Sequence, residues 1–202
     1  AVLLIAALGA DVFASYGPTD VLIDKEVGAT RLAGPCINLL GCEGTQHIFG
    51  LDNNVRDVFS RVLHGARLSL QVGFLTVGFA IVLGSLIGAI AGFVGGWVDN
   101  LFMRIMDVLL AFPSLLLAIA IVTVIGPGLI NTQLAIGVVA IPIYARVMRA
   151  SVLSLRDREF VSASRALGAS ETSILFRKVL PNALTPIIVQ GTLGIGGAIL
   201  DV

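Results

Sequence analysis

The two longest stretches of this 202-residue chain that carry no charged side chain constrain its fold more than any other feature. The first runs from Leu68 to Val98 and the second from Val108 to Ala145. A helix that crosses the ~30 Å hydrocarbon core of a bilayer needs about 20 apolar residues. Charged residues make up 13% of the chain, against about 25% in soluble domains. The sequence therefore predicts an all-α, multi-pass membrane protein. Its formal net charge of +0 gives no basic field that would attract nucleic acid.

Breaks in the apolar pattern separate the spanning helices. Gly126-Pro127-Gly128 divides the second stretch into helices over about 103–125 and 132–150, because Pro and Gly stop helices. Pro113 and Pro142 inside these helices predict kinks, since each Pro removes one backbone hydrogen bond.

The pattern predicts about five spanning helices, with the first and last parts of the fold truncated. Residues 1–14 are apolar but too few to cross a bilayer, so we interpret them as a partial first spanning helix. Residues 15–67 form a polar loop that ends in a short amphipathic, interfacial helix. Residues 68–202 form the core transmembrane domain, which contains a polar segment at 156–181.

Small residues recur along the first charge-free stretch. Gly84, Gly88, Gly92 and Gly96 lie four residues apart and so share one face of a helix. Such a face lets the backbone of a second helix approach closely. The stripe therefore predicts helix packing rather than a binding site.

Both cysteines of the chain, Cys36 and Cys42, lie in the 15–67 loop. They could form a small disulfide loop in an oxidising compartment, and two free thiols are the alternative. No metal site is expected, because a structural zinc needs about four ligands and only His47 is near.

Basic residues set the orientation. Most of the Lys and Arg residues near the spans fall on the side of 156–181, which the positive-inside rule places in the cytoplasm. Residues 15–67 are then extracytoplasmic. On the cytoplasmic side we expect Asp107 to pair with Arg104, and Arg146 and Arg149 to extend to the lipid headgroups.

The 156–181 segment is too long for a simple connection. Asp157 is expected to cap a helix in which Phe160, Ala163 and Leu167 share an apolar face. Gly168 would end this helix, because glycine adopts the left-handed conformation at little cost.

A second short helix is expected after Gly168. Ser170 can cap it, and Glu171 suits its positive end. Leu180-Pro181 would then turn the chain back into the membrane. Two short helices exposed between spans predict a docking surface.

At these residues the chain resembles the permeases of binding-protein-dependent ABC importers. Their signature is Glu-Ala-Ala, three residues, Gly, nine residues, then Ile-x-Leu-Pro. Here Ser162-Ala163-Ser164 occupies the triplet, Gly168 the glycine and Leu180-Pro181 the end, all in register. Serines replace the Glu and the last Ala, and Lys178 replaces the Ile. The nearest carboxylate upstream is Glu159.

The resemblance covers the chain from about residue 48 to its end. GLDNNVRDVFSRVLHGARLSL, GFVGGWVDNLFMRIMDVLLAFPSLLLAIAI and YARVMRASVLSLRDREFV are similar to the dipeptide, oligopeptide and nickel branch of the family. The resemblance implies a type I ABC importer transmembrane domain in the prokaryotic plasma (inner) membrane, with cytoplasmic coupling helices. The implied cargo is short peptides, and nickel or another small solute is the alternative.

The resemblance also implies partners and a coupling site. The partners are a second homologous permease, two ATPase subunits that bind ATP and Mg, an extracytoplasmic substrate-binding protein and the bilayer. The chain itself has no GxxxxGK[ST] loop, so neither a bound cofactor nor ATPase activity is expected of it. The residues implied in ATPase coupling are Glu159, Ala163, Arg165, Gly168, Ala169, Leu180 and Pro181. Arg165, Arg177 and Lys178 would offer ion pairs to the ATPase.

Two other functions compete. An intramembrane hydrolase needs a nucleophile and a base at membrane depth, but both His residues lie in the 15–67 loop. A channel or structural membrane subunit would share the composition and the glycine stripe. Neither requires the helix pair at 156–181.

Overall fold

The computed structural model describes residues 7, 9–23, 25, 29–38, 41, 42 and 45–201, with side chains up to residue 199. A wide, π-helical turn at Leu175–Val179 joins two of its helices. The helices of the described residues are α1 (Ala10–Phe13), α2 (Val58–Val94), α3 (Gly96–Leu110), α4 (Ser114–Ile125), α5 (Leu129–Arg156), α6 (Glu159–Ala166), α7 (Glu171–Ile174) and α8 (Leu180–Asp201).

Three helical stretches of the described residues are long and apolar enough to cross a membrane: Val58–Val94, Leu129–Arg156 and Glu171–Ile199. The bent pair α3 and α4 makes a fourth if it is counted as one span. Half of the partial helix expected at 1–14, residues 1–6 and 8, lies outside the described residues, and the described half contains α1.

Helix α2 continues without a break through the segment expected to form a separate interfacial helix. It has 37 residues and is therefore about 55 Å long, well beyond the ~30 Å of a hydrocarbon core. The amphipathic stretch is its first part. The sequence suggested a boundary near residue 67 because polarity changes there, but no Pro interrupts the helix.

The helix expected over 103–125 is two helices. α3 begins at Gly96, and α4 follows after a bend of 93°. Pro113 lies at this bend, immediately before α4, rather than inside a kinked helix. The reason is steric, because a Pro disfavours helical geometry in the residue before it and is well placed at a helix start. Pro142 lies within α5, as predicted.

The chain divides into two compact units, Ala1–Gln71 and Val72–Val202. In the second unit the glycine stripe brings α2 against α5, as predicted. A Cβ on Gly84 would lie 2.7 Å from the Ile141 carbonyl oxygen, and one on Gly88 would collide with the Ala145 carbonyl. Gly96 does not belong to the stripe, because it lies beyond the end of α2 with a φ of +59°.

A buried cluster in the same unit joins α2, α3, α5 and α8. Its members are Val77, Ala80, Met106, Ile141, Tyr144, Ala145 and Ala198. Tyr144 reaches across to α8, where a Cβ on Gly194 would collide with its hydroxyl. Helix α5 therefore packs against α2 through its backbone and against α8 through the Tyr144 side chain.

The first unit has a small core of its own. Leu22, Leu51 and Val55 are buried together. Val55 has a φ of +58°, a costly geometry for a β-branched residue. The Asp52 carboxylate supports it by accepting hydrogen bonds from the backbone N–H groups of Asn54 and Arg56, at 2.8 and 2.9 Å. The polar loop is thus a folded element.

Candidate functional site

The inner side of the 156–181 segment is anchored in a buried cluster. Val161 of α6 and Ile174 of α7 are fully buried, and Val179 is buried beside them. They share this cluster with Met148 and Val152 of α5. The packing fixes the base of the segment to the bundle of the second unit.

The apolar face expected on α6 is directed away from this cluster. Phe160, Ala163 and Leu167 are all exposed, and Leu167 is 88% exposed. The buried residue of α6 is Val161 instead. Helical spacing shows which residues share a face, but it does not show which face of a two-turn helix meets the bundle. The segment therefore presents an apolar side chain at its outermost point.

Asp157 does not cap α6. It lies at the end of α5, and its carboxylate is 3.5 Å from Arg156. Arg158 occupies the N-cap position of α6 without a side-chain hydrogen bond. Glu159 follows in the first turn, exposed, where its negative charge suits the positive end of the helix. The sequence placed the cap one residue early.

Gly168 ends α6 as predicted. Its φ is +80°, and its N–H donates to the Arg165 carbonyl at 3.0 Å. The Ala169 N–H donates to the Ser164 carbonyl at 3.1 Å, which completes a Schellman motif. Carbonyl groups at the end of α6 are thus satisfied in an exposed position.

The start of α7 is capped as predicted. The Ser170 hydroxyl oxygen accepts a hydrogen bond from the Ser173 N–H at 3.4 Å. Arg165 and Glu171 then bridge the turn with two parallel hydrogen bonds, at 2.6 and 2.9 Å. These bonds raise the pKa of the Arg165 guanidinium above its ordinary value.

This pair changes the expected role of Arg165. From the sequence its guanidinium is expected to pair with the ATPase, whereas in the structure it pairs with Glu171. Arg177 and Lys178 are exposed. We name the outermost part of the segment, residues 163–171, the tip. Its surface combines small residues with one exposed leucine. The Arg165–Glu171 ion pair within it has no net charge.

Leu180-Pro181 does not turn the chain. The helix runs on from Glu171 to Ile199, with the wide turn Leu175–Val179 directly before these residues. A Pro lacks the N–H that an α-helix needs and its ring crowds the preceding turn, and a wide turn relieves that crowding. The Asn182 side chain also donates to the Lys178 carbonyl at 2.6 Å. The second short helix is therefore continuous with the last span.

The sequence did not predict the ion pairs that join α3 and α5. Asp107 pairs with Arg146 at 2.6 Å, not with Arg104. Arg149 makes a two-fold pair with Asp99 rather than extending freely. Sequence spacing reveals partners within one helix, whereas these partners lie on different helices. The pairs fasten α3 to the helix that supports the tip.

Comparison with known proteins places this chain in a family. Residues 84–202 match the model of the binding-protein-dependent transport system inner membrane component. A dipeptide transport system permease protein of Alkalihalophilus pseudofirmus is 50% identical over 86% of this chain and 54% of its own length.

Two further relatives are also similar to most of this chain. A di/tripeptide transport system permease protein of Pseudomonas aeruginosa is 49% identical over 79% of this chain and 53% of its own length. A glutathione transport system permease protein of Escherichia coli is 44% identical over 81% of this chain and 54% of its own length. The chain thus spans about half the length of these relatives. It belongs to the family of inner membrane components of binding-protein-dependent transport systems.

Proposed function

We propose that this chain is a transmembrane permease subunit of an ATP-driven ABC importer for short peptides. The observation that carries the proposal is the tip, an exposed, hydrogen-bonded turn whose base is buried in the bundle. Two partner ATPase subunits would bind ATP and Mg and receive the tip in a cleft. The chain would convert their closure into movement of the spans.

The tip suits such docking because its backbone is already ordered. The Schellman motif, the Ser170 cap and the Arg165–Glu171 bridge hold it in one conformation. A surface ordered before binding loses little conformational entropy on docking. Ala163 and Ala169 leave room for close approach, and Leu167 supplies the apolar contact. Glu159, Leu180 and Pro181 lie at the base of the segment and would transmit force rather than touch the ATPase first.

The orientation follows from charge and from the cysteines. The basic side of the spans, with the 156–181 segment, would face the cytoplasm. Residues 15–67 would then be extracytoplasmic, which suits the disulfide between Cys36 and Cys42. An extracytoplasmic substrate-binding protein would deliver its ligand to that side.

Helix α4 offers a surface for the second permease subunit. None of its residues is buried, and Leu115, Leu116 and Ile119 are exposed. A largely apolar cavity of about 720 Å³ lies between α4, α5 and the end of α3. A second, related permease covering this face would complete the translocation path with α5.

The names of the relatives favour peptides as the cargo. The three relatives above are named for dipeptides, di- and tripeptides, and glutathione. All are short peptides of two or three residues. None of these three relatives is named for nickel, which therefore has no comparable support.

The experiment is uptake by cells that express the full-length protein with its partner subunits. We expect accumulation of a labelled dipeptide to depend on ATP and to be reduced at least tenfold by excess unlabelled dipeptide. Glutathione and a nickel chelate serve as competing solutes. Competition by the nickel chelate alone would contradict the peptide assignment and leave the permease assignment intact.

A further inference from the structure

The disulfide loop of the first unit is connected to the start of helix α2. Cys36 and Cys42 are joined with their Cα atoms 5.5 Å apart. Cys36 and His47 exchange two backbone hydrogen bonds, at 2.9 and 2.8 Å. The disulfide therefore lies next to the backbone that carries His47.

The His47 side chain makes a buried pair with Asp57. Nδ1 of His47 lies 3.0 Å from Oδ1 of Asp57, and the two residues are 6% and 4% exposed. The Tyr16 ring packs against the imidazole with centroids 5.7 Å apart. A buried carboxylate is costly unless it accepts hydrogen bonds. His47 thus holds one oxygen of Asp57 in place.

The other oxygen of Asp57 caps helix α2. Oδ2 accepts a hydrogen bond from the Ser60 N–H at 2.7 Å, and the Asp57 carbonyl accepts from the Arg61 N–H at 3.1 Å. Asp57 directly precedes Val58, so this is the N-cap geometry. The Ser60 hydroxyl in turn accepts from the Tyr16 N–H at 3.3 Å. One carboxylate therefore serves both the loop and the helix.

We propose that the Cys36–Cys42 disulfide positions the beginning of the long helix α2, acting through His47 on the Asp57 cap. His47 is a positioning residue in this arrangement, because it orients the carboxylate that receives the Ser60 N–H. A disulfide that closes so short a loop gains less from chain entropy than one that closes a long loop. In addition, this disulfide holds Cys36 opposite His47.

By thermodynamic linkage, the proposed effect acts in both directions. If the disulfide raises the equilibrium constant for forming the cap by some factor, the cap must raise the equilibrium constant for forming the disulfide by the same factor. Loss of a carboxylate cap typically lowers the equilibrium constant for forming the helix end about fivefold. We therefore expect effects of about fivefold in both directions.

The first arm of the test is hydrogen exchange of the full chain in detergent, oxidised and after dithiothreitol. In the reduction the S–S bond breaks, each sulfur gains an electron and a proton, and dithiothreitol closes to its cyclic disulfide. We expect the Ser60 and Arg61 amides to exchange about fivefold faster in the reduced protein, and the amides of α4 to be unchanged. In a Cys36→Ser/Cys42→Ser variant these two amides should exchange at the faster rate, and dithiothreitol should not change that rate.

The second arm measures the disulfide in dithiothreitol redox buffers. His47→Ala should make the disulfide about fivefold easier to reduce, a midpoint shift of about 20 mV. His47→Asn should restore the wild-type midpoint, because its amide nitrogen can donate from nearly the position of Nδ1. Equal exchange of Ser60 and Arg61 in oxidised and reduced wild-type protein would overturn the proposal, whatever the chain transports. An unchanged midpoint in His47→Ala would do the same.

Discussion

Gly168→Val is expected to reduce ATP-coupled uptake at least tenfold while the chain remains folded in the membrane. Gly168 has a φ of +80°, and beyond its two chain neighbours no described atom lies within 4 Å of the position its Cβ would occupy. The cost is therefore conformational rather than steric. An L-residue pays about 1–2 kcal/mol in this geometry, and a β-branched one pays more. The turn would relax, and Leu167 would leave the position in which it would contact the proposed ATPase partner.

The matched control is Gly168→Asn. Asparagine tolerates the left-handed conformation, so the Schellman motif and most of the uptake should survive. Co-purification of the ATPase subunits with each variant separates lost docking from lost transport. Wild-type uptake by the Val variant would show that the shape of the tip is irrelevant to coupling.

Gly88→Ala is expected to be the most destabilising single-methyl change in the bundle. The added Cβ would collide with the Ala145 carbonyl and lie 3.0 Å from the backbone nitrogen of Arg149. Both neighbours are backbone atoms, so the helices themselves must separate. Overpacking of this kind costs about 3 kcal/mol at the upper end of its usual range. Loss of helical circular dichroism on heating in detergent measures the change.

Gly78→Ala on the same helix is the matched control. Apart from the backbone of its own helix, no described atom lies within 4 Å of its Cβ position, so only helix propensity changes. Alanine is favoured over glycine in a helix interior by up to about 1 kcal/mol. The two substitutions should therefore shift the melting midpoint in opposite directions. Equal shifts would contradict the close crossing of α2 and α5.

The structural features that could be predicted from the sequence are those that depend on residues close together in the chain. The charge-free stretches predict helices that can span a membrane, and Gly84, Gly88 and Gly92 predict the close crossing. Gly168 and Ser170 predict the end of one short helix and the start of the next. These features follow from period, composition and capping chemistry, which are properties of a few consecutive residues.

Features that depend on tertiary packing were not predictable in this way. The partner of Asp107 is on another helix, and the outward direction of Leu167 depends on which side of α6 meets the bundle. Leu180-Pro181 suggested a turn because Pro usually ends a helix, yet the wide turn before it lets the helix continue. The His47–Asp57 pair joins residues whose proximity no local pattern reveals.

The most direct test of the account is site-specific photo-crosslinking from position 167 in the assembled complex in its membrane. The full-length protein would carry a photoreactive amino acid in place of Leu167, with the same probe at Ile119 of α4 as a control. We predict that the probe at 167 captures an ATPase subunit, and that the probe at 119 captures lipid or a second permease. Capture of an extracytoplasmic protein from position 167, or of lipid alone, would contradict the proposed coupling site and its orientation.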